Sequence, residues 1–327
     1  MKKFMIISLI LLASFRLATA KIWRVNNTSG ISADYTTPQA AHDGAASGDT
    51  IQIEGSLISY GPVTCTKPLV WIGPGYFLAE NPQTQYSLLT AIGLSFTFNT
   101  GSSGSCVMGM NSPNIYINEN NIKVLRNLSP GIYLGQTTGN TYSGDTIAQN
   151  FICNIFNYPT YSTFSNLQIF DNSILNLYLD GPTTNGDLYS NYIENVSYVN
   201  NFLVEDNIIS GDTINIRTNN TFLNNILYNG TNTTANGNGN FYVAPFTGIF
   251  TNYANRTTID AGLELAAGSP AKGAGIGGID LGIFGNGTPY MLSGMAPIPS
   301  IYTLTVPATV AAGSNSMSVT VSIKSHN

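Results

Sequence analysis

A short phrase recurs along the middle of this chain: an asparagine, an apolar run, and then a second polar or turn residue. It reads Asn150-Phe-Ile-Cys-Asn154, Asn172-Ser-Ile-Leu-Asn176, Asn191-Tyr-Ile-Glu-Asn195, Asn207-Ile-Ile-Ser-Gly211 and Asn225-Ile-Leu-Tyr-Asn229, with starts 22, 19, 16 and 18 residues apart. A period near twenty, with one short strand per phrase, implies a solenoid in which each coil rests on its neighbour. An inward asparagine at each bend can bond the backbone of its own coil and an identical asparagine one coil away. Such a ladder satisfies polar groups that a corner would otherwise bury alone.

The rest of the chain fits around that repeat. Thr36-Thr-Pro38 opens a short helix, because threonine caps it and proline suits its first turn. The helix runs through Gln39–Ala46 to a stop at Gly48, and it is placed to cover the open first coil. Asp49-Thr-Ile-Gln-Ile-Glu54 then alternates as a strand. From about residue 50 to 250 the chain reads as short strands and turns, about ten coils in all. Tyr228 to Asn240 is low in complexity and reads as a protruding loop. Ala266 to Thr288 is dense in glycine and alanine. Two apolar stretches, Ile301–Val306 and Met317–Ile323, flank Ala312-Gly-Ser-Asn315 as a hairpin would.

Composition narrows the function classes. Met1 to Ala20 has the form of an export signal: Lys2 and Lys3, then the apolar Met5–Leu12, then Ala18-Thr-Ala20 before cleavage. The mature chain is therefore expected to begin near Lys21 and to be secreted, extracellular or on the cell surface. The apolar stretch is too short to span a membrane, and no other segment is long enough. Only 9% of residues are charged and the net charge is −5; without the three basic residues of the signal it becomes −8. No basic stripe suits nucleic acid. Cys65, Cys106 and Cys153 have neither disulfide nor zinc spacing and read as three small buried side chains. The Asn-x-Ser/Thr sites, Asn127-Leu-Ser129 among them, follow from the abundance of Asn and Thr and are given no role.

Three segments resemble the right-handed parallel β-helix (pectate-lyase-like) superfamily. They are Asp34-Tyr-Thr-Thr-Pro-Gln-Ala-Ala41 with Gly48-Asp-Thr-Ile-Gln-Ile53, the asparagine phrases, and Ser269-Pro-Ala-Lys-Gly-Ala-Gly-Ile-Gly-Gly-Ile-Asp-Leu-Gly-Ile-Phe-Gly285. Lys67-Pro-Leu-Val-Trp-Ile-Gly-Pro-Gly-Tyr-Phe-Leu-Ala-Glu-Asn-Pro82 is similar to a segment of uncharacterised secreted β-helix-repeat proteins of Bacteroidetes-like bacteria. The resemblance implies an all-β, right-handed parallel β-helix: a single-stranded solenoid of about ten coils with a short N-terminal capping helix and a C-terminal β tail. The expected organisation is residues 1–20 signal, 21–49 N-terminal cap, 50–288 β-helix and 289–327 tail. It implies no single activity, because the superfamily holds lyases, hydrolases, epimerases, adhesins and inert rods.

Of the polygalacturonase pattern of Asn-x-Asp, Asp-Asp, Gly-His-Gly and Arg-x-Lys, the Asp-Asp and the Gly-His-Gly are missing and Arg217-Thr-Asn219 replaces the Arg-x-Lys; the two histidines, His42 and His326, sit near the ends. A lyase needs a base and a cation to stabilise the charge beside a uronate carboxyl. Arg217 with Glu205 and Asp206 are the catalytic candidates for that alternative, with Glu194 and Asp212 nearby, and calcium is implied only there. Scattered, solvated charges are the plainer account of the same residues.

A different pattern is more regular. Ile115-Tyr116-Ile117, Ile132-Tyr133-Leu134 and Leu177-Tyr178-Leu179 each place an outward tyrosine between inward aliphatics. Outward aromatics on stacked strands can form a platform for sugar rings, although tyrosine also simply suits a strand surface. The reading is therefore a secreted, non-catalytic rod that binds a polysaccharide or cell-surface glycan through Tyr116, Tyr133 and Tyr178, or serves a structural role, with no cofactor. The alternatives are a polysaccharide lyase acting on uronate polymers and a protein-binding adhesin using the Asn/Gly loop or the tail.

Overall fold

The computed structural model describes residues 20–326 except 112, 158–159, 161, 212–213, 217–218, 229–236, 244 and 256–258. It is an all-β parallel solenoid with one α-helix among the described residues. Along the chain, strands alternate between two long sheets. Sheet A has ten strands, from Ile22–Val25 and Thr50–Ile53 to Thr221–Leu223; sheet B has twelve, running from Gly61–Cys65 to Phe241–Val243. A third sheet of three strands, Thr141–Ser143, Thr163–Ser165 and Thr183–Thr184, closes three middle coils. Ten stacked strands make about nine windings, in line with the roughly ten coils expected, and at ~4.8 Å per step the stack is about 43 Å long.

Parallel, in-register pairing turns each inward position into a column. In sheet A, Val107, Val124, Ile147, Ile169 and Leu188 sit one above the other. In sheet B, Phe96, Ile115, Ile132, Ile155 and Leu177 do the same. All ten are essentially inaccessible to solvent. Each such side chain contributes about 1.5–3 kcal/mol on burial, so the two columns form the core that holds the coils on one axis.

The corner between sheets A and B is a two-residue device. The first residue has positive φ: Arg126 (55°), Gln149 (58°), Asp171 (55°), Ser190 (53°), Asp206 (57°) and Asn224 (52°). The second is the ladder asparagine: Asn127, Asn150, Asn172, Asn191, Asn207 and Asn225, all fully buried, with Asn240 as the last rung. The backbone N–H and the Nδ2 of each rung donate to the Oδ1 of the next. For Asn150 to Asn172 both distances are 2.9 Å. The same Nδ2 also donates to Ala148 O in its own coil and to Val124 O one coil back. Six rungs, Asn127 to Asn225, share this arrangement, Asn240 ends it, and Met110 N–H caps the first at Asn127 Oδ1. Amide dipoles aligned this way polarise one another, so an interior rung is worth more than an isolated bond.

The N-terminal end is closed by α1 (Pro38–Gly44), which stops slightly before Gly48. Thr37 Oγ1 accepts Ala40 N–H, proline sits in the first turn, and Ala41 and Ala45 pack into the core. His42 stacks on Trp71 and accepts Thr66 N–H at Nε2, so this histidine has a packing role. Asp49 accepts Lys21 N–H, Trp23 Nε1 and Ala46 N–H, bonds that hold its carboxyl below the usual range, the Lys21 bond most of all. Cys65 and Cys106 are buried, but Cys153 is exposed, because residues 153 and 154 both face outward in the strand Phe151–Asn157.

The last long-sheet strand ends at Val243, and the glycine-rich segment beyond it has no strand in either sheet. It runs back along the corner towards the N-terminal end, held by the positive-φ residues. Asn224 Nδ2 donates to Ala274 O, Asp206 Oδ1 accepts Ile276 N–H, Asp171 accepts Asn286 Nδ2, and Gln149 Nε2 donates to Thr288 O. Arg126 Nη1 reaches Met295 O. Beneath this wrap lies a second apolar core. Phe151, Tyr192, Ile208 and Ile226, each following a ladder asparagine, meet Phe246, Phe250, Leu263 and Ile283. A buried clasp closes it: Asp260 accepts Asn81 Nδ2 (2.7 Å), Ser293 N–H (2.7 Å) and Tyr290 Oη (3.1 Å). The tail hairpin, Ser300–Thr305 with Thr320–Lys324, is antiparallel and lies on the rod, where Tyr86 N–H donates to Ile301 O.

Removing an interior rung strands buried donors. Asn172→Ala deprives Asn150 of its Oδ1 partner and is expected to cost on the order of 3 kcal/mol, because each orphaned donor costs ~1–3 kcal/mol. Asn240→Ala, at the end of the ladder, is expected to cost clearly less. Urea unfolding followed by circular dichroism checks the ranking.

The wrap also makes stability depend on pH. Burial pushes the carboxyls of Asp145 and Asp171 up to about 8 and raises Asp206 and Asp260, the bonds to Asn286 and to Ile276 N–H opposing this at Asp171 and Asp206. A carboxyl whose folded value is raised binds its proton more tightly when folded. Its contribution is therefore full below the ordinary carboxylate range and is lost as pH rises towards about 8. The protein is expected to unfold at lower urea at pH 9 than at pH 5. Asp171→Asn, which keeps the shape without the charge, is expected to narrow that gap.

Candidate functional site

Alternation along sheet B sends Tyr116, Tyr133 and Tyr178 outward while their aliphatic neighbours are buried, and parallel register brings all three onto one face. Tyr116 pairs with Tyr133, Tyr133 with Phe156, and Phe156 with Tyr178, so the row is a continuous aromatic column along the rod axis. Phe156 belongs to it as fully as the tyrosines. Its flanking residues are Ile155 and Asn157, and the polar Asn157 hid the pattern shown by the three tyrosine strands.

The rings do not form a flat platform throughout. Tyr116 and Tyr133 stack face to face, with centroids 4.9 Å apart and planes 14° apart. The interplanar angle then opens to 29° at Tyr133–Phe156 and 56° at Phe156–Tyr178; Tyr178 meets Tyr198 edge to face at 68° and 4.9 Å. At the Tyr116 end the rings spend their adjoining faces on each other. Towards Tyr178 they fan apart. All four column side chains are half-buried.

A polar rail runs beside this column, two residues back along each strand, at ~7 Å. Asn176 Nδ2 donates to Asn154 Oδ1 (2.9 Å) and Asn195 Nδ2 to Asn176 Oδ1 (3.0 Å). These are the second asparagines of the first three recurrent phrases, so one five-residue motif supplies an inner ladder and an outer one. Among the described residues no strand of sheet B contains lysine or arginine. Acidic groups lie close: Asp180 at 3.4 Å from the Tyr178 hydroxyl, and Glu194, which accepts from the Tyr192 hydroxyl at 3.3 Å.

Of the lyase candidates, Glu205 and Asp206 lie among the described residues. Glu205 lies in sheet A, in register with Tyr189 and Leu223; burial raises its carboxyl, with Asp206 and Asp187 adding to the effect. Asp206 turns at the corner and holds Ile276 N–H of the wrap. Arg217 and Asp212 lie outside the described residues. Among the described residues no group of three or more His, Cys, Asp or Glu side chains could hold a metal ion. A second concavity, a cleft of about 750 Å³ on the outer face of sheet A, is lined by Arg24, Gln52, Glu54, Tyr86 and Ile301 among others. In it Arg24 Nε donates to Glu54 at 2.6 Å.

No protein-family model, curated protein or solved structure matches this chain. The parallel β-helix architecture therefore rests on the structure itself. No helix among the described residues is long and apolar enough to cross a membrane.

Proposed function

We propose that this chain is an exported, non-catalytic β-helix rod that acts as an extracellular or cell-surface carbohydrate-binding or structural element. In this reading it is related to the pectate-lyase-like superfamily through the segments at either end of the solenoid. The aromatic column with its adjoining amide rail carries the reading, because it joins apolar ring surface to an ordered row of amides and hydroxyls, the mixture that sugars require. The positions of Glu205 and Asp206 lend the lyase alternative no support, and Asp206 has a sufficient structural role in the wrap.

A glycan screen with the Tyr116→Ala/Tyr133→Ala/Tyr178→Ala variant tests the proposal. Binding by the parent chain and its loss, by about tenfold or more, in a variant that keeps its circular dichroism spectrum is the expected result. Undiminished binding in the triple variant refutes the role of the column.

A further inference from the structure

Sheet B restricts what can lie on it in direction, repeat and charge. The aromatic positions 116, 133, 156 and 178 are joined rung to rung by register, each one coil beyond the last. A ligand that touches all four therefore runs along the rod axis and not across it. The repeat of the row is the interstrand spacing, ~4.8 Å. A β-1,4-linked pyranose ribbon is extended and advances by close to one such spacing per sugar, so successive sugars meet equivalent positions on successive coils. An α-1,4-linked chain coils and leaves the row after a few sugars.

Charge makes the third restriction. The sheet B strands offer no lysine or arginine, Asp180 and Glu194 flank the column and rail, and the chain as a whole is acidic. A polyuronate in this position would bring a carboxylate to every coil, and the described strands of sheet B offer no lysine or arginine to meet it. The outer rail suits hydroxyls: Asn154, Asn176 and Asn195 point their amides the same way, flanking the last two aromatic coils and reaching one coil further.

We infer that this face takes a neutral β-1,4-linked glycan laid along the rod, one sugar per coil from Tyr116 to the Asn195 coil. The inference rests on the proposed role of sheet B as a glycan-binding face. Three oligosaccharide series of two to six sugars test it by calorimetry: neutral β-1,4 (gluco- and manno-), neutral α-1,4 (malto-), and oligogalacturonate. The expected result is affinity that climbs with each added β-1,4 sugar and levels off at about five, with the other two series weaker by about tenfold or more. Phe156→Ala should lower the plateau, and Tyr133→Phe, which keeps the ring stack and removes one hydroxyl, should lower it less. Column-dependent binding that favours the malto- or galacturonate series overturns the assigned class and leaves the glycan-binding reading standing. Absence of binding in all three series overturns both.

Discussion

Everything in this structure depends on the inner asparagine ladder. A parallel solenoid must turn the chain at every coil, and each tight turn between sheets A and B buries backbone groups that no strand partner reaches. The amide side chain is short enough to fit and carries both a donor and an acceptor. One rung therefore answers its own coil at residue i−2, the preceding coil, and the next rung at once. Aspartate would lack the donor, and serine or threonine could not span the three partners. The apolar columns supply most of the stabilisation, but they are tolerant of sliding. The ladder permits only one register, and register fixes which residues share a face.

The same corner organises the outside of the molecule. The residue before each rung takes positive φ, which turns its side chain away from the axis, and these side chains anchor the returning C-terminal segment. The residue after most rungs (Leu128, Phe151, Tyr192, Ile208, Ile226 and Phe241) points outward and builds the second core under that segment. Three consecutive positions thus serve the ladder, the wrap and its apolar bed. One edge of sheet B is covered in consequence, and the half-buried aromatic column and the amide rail lie away from that edge.

Much of this was legible in the sequence because it is periodic. The asparagine phrases carried the solenoid and its inner ladder, and the Ile-Tyr-Ile type triplets carried the outward tyrosines. Asn127 and Asn240 were not read as rungs, since Asn127-Leu-Ser129 and Asn240-Phe-Tyr242 lack the full phrase even though they follow turn residues of the same kind. The outer ladder was hidden in plain view, because a strand that faces outward twice in succession at residues 153 and 154 breaks simple alternation, and the same irregularity exposes Cys153. The path of residues 246–295 could not be read at all. Its anchors are contacts over sequence separations of 50 to 169 residues between single polar groups, which leave no period behind. Ring orientation was equally hidden: position alone says that tyrosines share a face, while the stacking of Tyr116 on Tyr133 depends on side-chain packing.

Amide hydrogen exchange in the native protein tests the ladder most directly. The backbone N–H groups of Asn150, Asn172, Asn191 and Asn207 donate to side-chain oxygens, bonds that a solenoid without the ladder would leave to water. If the ladder holds the coils in register, these four exchange as slowly as core strand amides such as those of Ile155 and Leu177, and only through opening of the whole rod. Exchange at the rate of exposed turns, with the neighbouring strands still protected, would show that the corners are open and that the apolar columns alone hold the fold.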